Sequence, residues 1–156
     1  MDRAEHAGLA LTRETWGAIV VDFNRDGAQD VLISRHGRGA KLWKNNGRGR
    51  YQRAAVEAWP RCAASGKPVD RHGCAWADVD RNGLPDASCS TGRFRANFVK
   101  TGRDSELWLQ RRPGRFRDVG TRWHVGNACG RGRHVVFLHA NRDRYIERTA
   151  AASEKF

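Results

Sequence analysis

Apolar residues in this chain come in short runs, divided by polar loops of a recurring design. Ala18-Ile19-Val20-Val21 leads into Asp22-Phe23-Asn24-Arg25-Asp26-Gly27-Ala28-Gln29-Asp30, and Val31-Leu32-Ile33 leads out of it. Both apolar runs are brief, largely β-branched and bounded by turn formers, which predicts two strands joined by a loop. A flexible connection, Arg35 to Gly39, follows. Then Lys41-Leu42-Trp43-Lys44, the turn Asn45-Asn46-Gly47-Arg48-Gly49 and Arg50-Tyr51-Gln52 predict a hairpin, because Asn-Gly between apolar runs favours one. Four short strands therefore span Gly17 to about Arg53. Residues 1–16 read as a lead-in holding a degenerate strand, and residues 54–72, with Pro60, Gly66 and Pro68, as a connection.

The pattern then returns. Cys74-Ala75-Trp76-Ala77 and Ala87-Ser88-Cys89-Ser90 predict strands around the loop Asp78-Val79-Asp80-Arg81-Asn82-Gly83-Leu84-Pro85-Asp86, which begins 56 residues after Asp22. The hairpin returns as well: Leu42-Trp43 corresponds to Leu107-Trp108, Gly49-Arg50-Tyr51 to Gly114-Arg115-Phe116, at an offset of 65 residues. The larger offset places a longer internal loop at 91–105. A third copy starts near Arg133, with a strand at His134–Leu138 and a loop at His139–Glu147. Its first position is His139, its sixth Arg144 and its ninth Glu147, so it is expected to bind an ion weakly or not at all. The chain reaches Phe156 before a third Leu-Trp hairpin. About two and a half copies of a four-stranded unit result, at roughly 60 residues each, and that period points to an array or propeller. The expected boundaries are about 17–53, 73–118 and, truncated, 133–156.

The loops carry the candidate chemistry. Positions 1, 3, 5 and 9 bear side-chain oxygens, and position 6 is glycine in the two complete copies. A hard cation such as Ca²⁺ takes six to eight oxygen ligands from a flexible loop. Asp22, Asn24, Asp26 and Asp30 can converge from one loop, with the Ala28 carbonyl as a backbone ligand and Gly27 supplying the left-handed turn. The EF-hand loop starts alike but closes with Glu at position 12 between helices, whereas Ile33 stands there and the flanks are strands. A single Asn-Arg-Asp-Gly would equally suit a polar hairpin turn. Two copies in the same strand context favour the ion.

Composition changes this picture little. The formal net charge is +12, with 24 Arg against 5 Lys, and the Arg residues are spread along the whole chain. Such charge suits a polyanion, but no helix-turn-helix, zinc-finger or RNA-binding signature accompanies it, so nucleic acid is not the expected partner. No stretch approaches the ~20 apolar residues of a membrane span, and no export signal is visible. The six histidines show no nucleophile–base setting, and nearly all candidate carboxylates sit in the loops, so no enzyme is expected. Trp43, Trp76 and Trp108 suit core packing between units, whereas Trp16, Trp59 and Trp123 fall in linking regions. The cysteines, Cys62, Cys74, Cys89 and Cys129, contain no CxxC pair. Cys74 and Cys89 fall nearly opposite one another on the strands flanking the second loop, and we expect them to bond there. Buried thiols are the alternative.

The loop and the Leu-Trp hairpin together resemble the FG-GAP/VCBS repeat family, which includes the head of integrin α-subunits, over roughly residues 17–150. The resemblance implies an all-β, partial β-propeller with one blade per unit and structural Ca²⁺ in the competent loops. It implies Asp22, Asn24, Asp26, the Ala28 carbonyl and Asp30 as ligands of one ion, and Asp78, Asp80, Asn82, the Leu84 carbonyl and Asp86 as ligands of a second. It further implies an extracellular or cell-surface protein that adheres to or recognises a protein or glycan. A propeller closes with four to eight blades, so the expectation is a fragment of a longer chain; otherwise several chains complete a ring, or an open arc associates through exposed edges. Two other functions fit the sequence: an accessory binding module of a larger secreted enzyme, and a basic binder of polyanions.

Overall fold

The structure is a computed structural model and describes residues 3–10, 15–35, 40–56, 71–91, 105–125, 131–141 and 143–153. Cys62, Cys129, Trp59, the connection at 57–70 and the internal loop at 92–104 lie outside the described residues.

The chain is all-β. Strands β1 (Gly17–Val21), β2 (Asp30–Ser34), β3 (Lys41–Asn45) and β4 (Tyr51–Arg53) form one four-stranded antiparallel sheet in sequence order. A second sheet repeats that order with β5 (Arg71–Ala77), β6 (Asp86–Thr91), β7 (Ser105–Arg112) and β8 (Arg115–Asp118). A two-stranded sheet follows, of β9 (Arg131–Leu138) and β10 (Glu147–Ser153). Each acidic loop joins the first two strands of its sheet. Val21 pairs with Asp30, and Ala77 with Asp86, so the ninth loop residue begins the second strand.

The lead-in differs from the degenerate strand expected at 1–16. Ala4–Ala7 forms one helical turn, α1, closed by Gly8 at φ 81°. Ala and Glu are good helix formers, and Gly8 accepts the left-handed cap without penalty. The glycine also allows close approach, since a Cβ there would lie 2.5 Å from the Tyr51 carbonyl oxygen.

Side chains alternate across each strand, and both faces of the second sheet are covered. On one face, Cys74, Cys89 and Trp76 pack against Ile19, Val21, Leu32 and Leu42 of the first sheet. Trp76 also meets Phe116 edge-on, at 5.9 Å between ring centroids. On the other face, Leu107, Leu109 and Val119 pack with Phe137 of β9. Full burial of a Leu such as Leu32 or Leu109 stabilises by about 1.5–3 kcal/mol.

The second sheet buries an ion pair and a disulfide. Arg71 and Glu106 form a bidentate ion pair at 2.6 and 3.0 Å, with both side chains about 1% exposed. Cys74 and Cys89 are directly paired across β5 and β6, with Cα atoms 4.0 Å apart, and their sulfurs are bonded.

Candidate metal centre

Local chain chemistry shapes the two complete loops alike. Gly27 and Gly83 take left-handed φ values of 84° and 92°. Their amides donate to Asp22 Oδ2 at 2.9 Å and Asp78 Oδ2 at 2.8 Å, tying position 6 to position 1. The side chain at position 5 then accepts from the amide at position 7: Asp26 Oδ1 from Ala28, and Asn82 Oδ1 from Leu84. Each loop also holds a second left-handed residue, Arg25 at 56° and Arg81 at 60°, which residue type does not signal. Bulky residues adopt that conformation rarely. With it, the backbone reverses twice within three residues and draws the loop into a ring.

The ninth residue closes that ring. Asp30 is fully buried; its Oδ2 accepts from the Phe23 amide at 3.2 Å and its Oδ1 from the Asn45 amide at 2.8 Å. Asp86 does the same with Val79 at 2.8 Å and Gln110 at 2.7 Å. Each aspartate thus binds the start of its loop to β3 or β7. A carboxylate oxygen has a second lone pair, so these bonds leave acceptor capacity toward a cation. Gln110 adds a link between the units, because its Nε2 donates to the carbonyls of Phe23 and Pro85 at 2.8 Å each.

The two loops differ in how their acidic groups gather. In the second, Asp78, Asp80 and Asp86 each offer an oxygen, all within 4.8 Å of one another. Among the described residues no other such group of three acidic, His or Cys side chains occurs, so Asp22, Asp26 and Asp30 do not draw together to this degree. Asp26 turns instead to Lys44 at 2.9 Å. Asp80 also has a basic partner, Arg111 at 2.7 Å, and Asn82 Nδ2 donates to the Gln110 carbonyl. Neither Lys44 nor Arg111 was among the sequence candidates, since they stand 18 and 31 residues from their partners.

One buried oxygen in each loop lacks a hydrogen-bond partner: Asn24 Oδ1 in the first and Asp78 Oδ1 in the second. Leaving a buried acceptor unsatisfied costs about 1–3 kcal/mol. Both belong to the sequence-predicted ligand set, and a hard cation prefers oxygen donors of this type. The residues therefore fit a calcium ion, the second loop more closely than the first.

Electrostatics agree. Burial pushes the Asp86 carboxyl up to about 6, against the opposing pull of the Gln110 and Val79 amides, and neighbouring Asp80 raises it further. Burial also raises Asp30. Asp26 is held down to about 2, first by its hydrogen bond to Lys44 and then by those to Ala28 and Asn24.

The third loop keeps the ninth-position tie, with Glu147 Oε2 accepting from the Ala140 amide at 2.7 Å. His139 Nδ1 faces the Tyr145 carbonyl at 2.9 Å, so that nitrogen carries the hydrogen and offers no lone pair. Arg144, at the glycine position, is not among the described residues with positive φ.

These features define a class: antiparallel β units whose first two strands are joined by an acidic, glycine-turned loop. Residues 22–87 match the family model described as FG-GAP-like repeat, and this part of the chain is similar to that family. The match opens at the first residue of the first loop and ends just past the ninth residue of the second. No curated protein matches the chain.

Proposed function

We propose that the chain is a non-enzymatic, calcium-stabilised β-propeller-type module that serves recognition or adhesion outside the cell. The observation that carries the calcium reading is the second loop, where three carboxylate oxygens gather within 4.8 Å around a site to which the unpartnered Asp78 Oδ1 belongs. Asp78, Asp80, Asn82, the Leu84 carbonyl and Asp86 would hold the ion there, and Asp22, Asn24, Asp26, the Ala28 carbonyl and Asp30 a second one in the first loop. Bound calcium supplies positive charge that offsets the mutual repulsion of these carboxylates. The chain's own residues do the rest. Gly83 and Arg81 bend the backbone, Asp86 fastens the loop to β7, and Arg111 moderates the charge of Asp80. Lys44 engages Asp26 in the first loop, and a cation must compete with it there, so the two sites are unequal.

The cross-strand disulfide and the FG-GAP sequence support a location outside the cell, where disulfides persist. Among the described residues no helix is long and apolar enough to cross a membrane. The ligand class that best suits such a module is a protein or glycan, presented to the loops between strands.

Calorimetric titration of the protein with calcium at neutral pH tests the proposal. Binding is expected in the range of extracellular loops, about 10⁻⁴–10⁻³ M, with the tighter site lost in Asp78→Ala. Absence of any calcium binding at millimolar concentration would refute it.

A further inference from the structure

Strand topology gathers arginines around the second loop. Asp86, the ninth loop residue, accepts from the Gln110 amide, so Arg111 and Arg112 leave β7 beside the loop. Arg111 Nη1 bonds Asp80 at 2.7 Å while half of its side chain stays in water. Arg115 opens β8 directly opposite Arg112. Arg81 belongs to the loop itself, and Arg25 arrives from the first loop. Its Nη1 lies 3.9 Å from where a Cβ on Gly83 would stand. All five arginines are exposed.

The fold gains little from this arrangement. Arg112 and Arg115 set like charges opposite one another across a strand pair, which is unfavourable. Arg25 and Arg81 hold the fourth position of their loops with a left-handed backbone, which Gly or Asn adopts at lower cost. Among the described residues, the side chains of Arg25, Arg81 and Arg112 form no hydrogen bond or ion pair. The five guanidinium groups outnumber the carboxylates of Asp78, Asp80 and Asp86, so positive charge is in excess there even without a bound cation.

We infer that this end of the second sheet is a binding surface for a sulfated glycan. The inference names a ligand class for the recognition role proposed above and rests on that reading. A guanidinium offers two parallel N–H donors to an oxyanion, and several of them on adjoining loops suit a chain with closely spaced anions. Calcium in the second loop would enlarge the positive excess. Nucleic acid is the competing polyanion. Its unpaired bases seek aromatic platforms, and none of the exposed large apolar side chains among the described residues lies in the second loop or the β7–β8 turn.

Titration of the full chain with a heparin octasaccharide, in calcium and in chelator, tests the surface. Binding is expected in both conditions and tighter in calcium. Arg81→Asn combined with Arg112→Gln should weaken it roughly tenfold or more and flatten its dependence on salt by about one unit per arginine removed. Asn keeps the left-handed backbone at position 81, and Arg112→Gln alone, in the hairpin, should show a smaller loss in the same direction. Arg53→Gln combined with Arg122→Gln removes as many exposed arginines away from the second loop and should leave the affinity within about twofold. Absence of octasaccharide binding at roughly 100 µM in either condition would overturn the inference. So would equal losses in the two double variants, which would mean attraction by net charge alone, or tighter binding of a DNA duplex of equal charge. Calcium binding is read by its own titration, so its failure and the failure of this surface are told apart.

Discussion

Asp86 has two duties that separate on mutation. It accepts from the Val79 and Gln110 amides and offers an oxygen to the acidic group with Asp78 and Asp80. Replacing it by Ala strands buried amides, so Asp86→Ala should cost about 2–4 kcal/mol even without calcium. Asp78→Ala should cost less in chelator and act chiefly on the calcium response; urea unfolding of both variants with and without the ion checks this. The pH dependence has a definite sign. The folded value of about 6 lies above the ordinary 3.8. In ion-free protein Asp86 therefore favours folding below about pH 4, and that contribution is lost as pH rises through about 6. Calcium favours the carboxylate and opposes this trend, so added calcium should raise the melting temperature more at pH 7.5 than at pH 5. The candidate ligands were legible as residues because Asp, Asn and Gly recur at fixed loop positions. The ties to Asn45 and Gln110 were not, since they depend on strands 15 and 24 residues away.

Elements were legible wherever short β-branched runs met a loop with turn chemistry, as at β1, β2 and the Asn-Gly hairpin. They were misread where the signal was short: α1 has four residues and its helical character rests on Ala, Glu and the Gly8 cap. The Cys74–Cys89 bond was readable because loop length and strand alternation place the two residues opposite one another. It closes a segment with a sequence separation of 15, for which chain entropy gives a stabilisation of roughly 3 kcal/mol. Replacing both cysteines by Ser should lower unfolding stability by about 2–3 kcal/mol and leave calcium binding measurable, as denaturant curves and titration would show. The Arg71–Glu106 pair was hidden, because nothing in the sequence says that β7 brings Glu106 onto β5. Glu106→Ala would leave a buried guanidinium without its carboxylate and should cost about 3–5 kcal/mol, again read by denaturant unfolding.

At the scale of the whole molecule, the repeat sets how the sheets pack on one another. Each unit covers the next with one face, and the acidic loops recur where β1 meets β2 and β5 meets β6, so ordering a loop also steadies the start of each sheet. Gln110 extends this across units by holding the Phe23 carbonyl of the first loop from β7 of the second. Ion binding at the second loop should therefore stiffen both sheets together, and the calcium effect should be global. Thermal unfolding of the intact chain at pH 7.5, in millimolar calcium against chelator, tests this most directly. A single transition that moves to higher temperature as calcium rises, and stops moving in Asp78→Ala combined with Asp22→Ala, is the predicted result. Melting curves that coincide with and without calcium would contradict it.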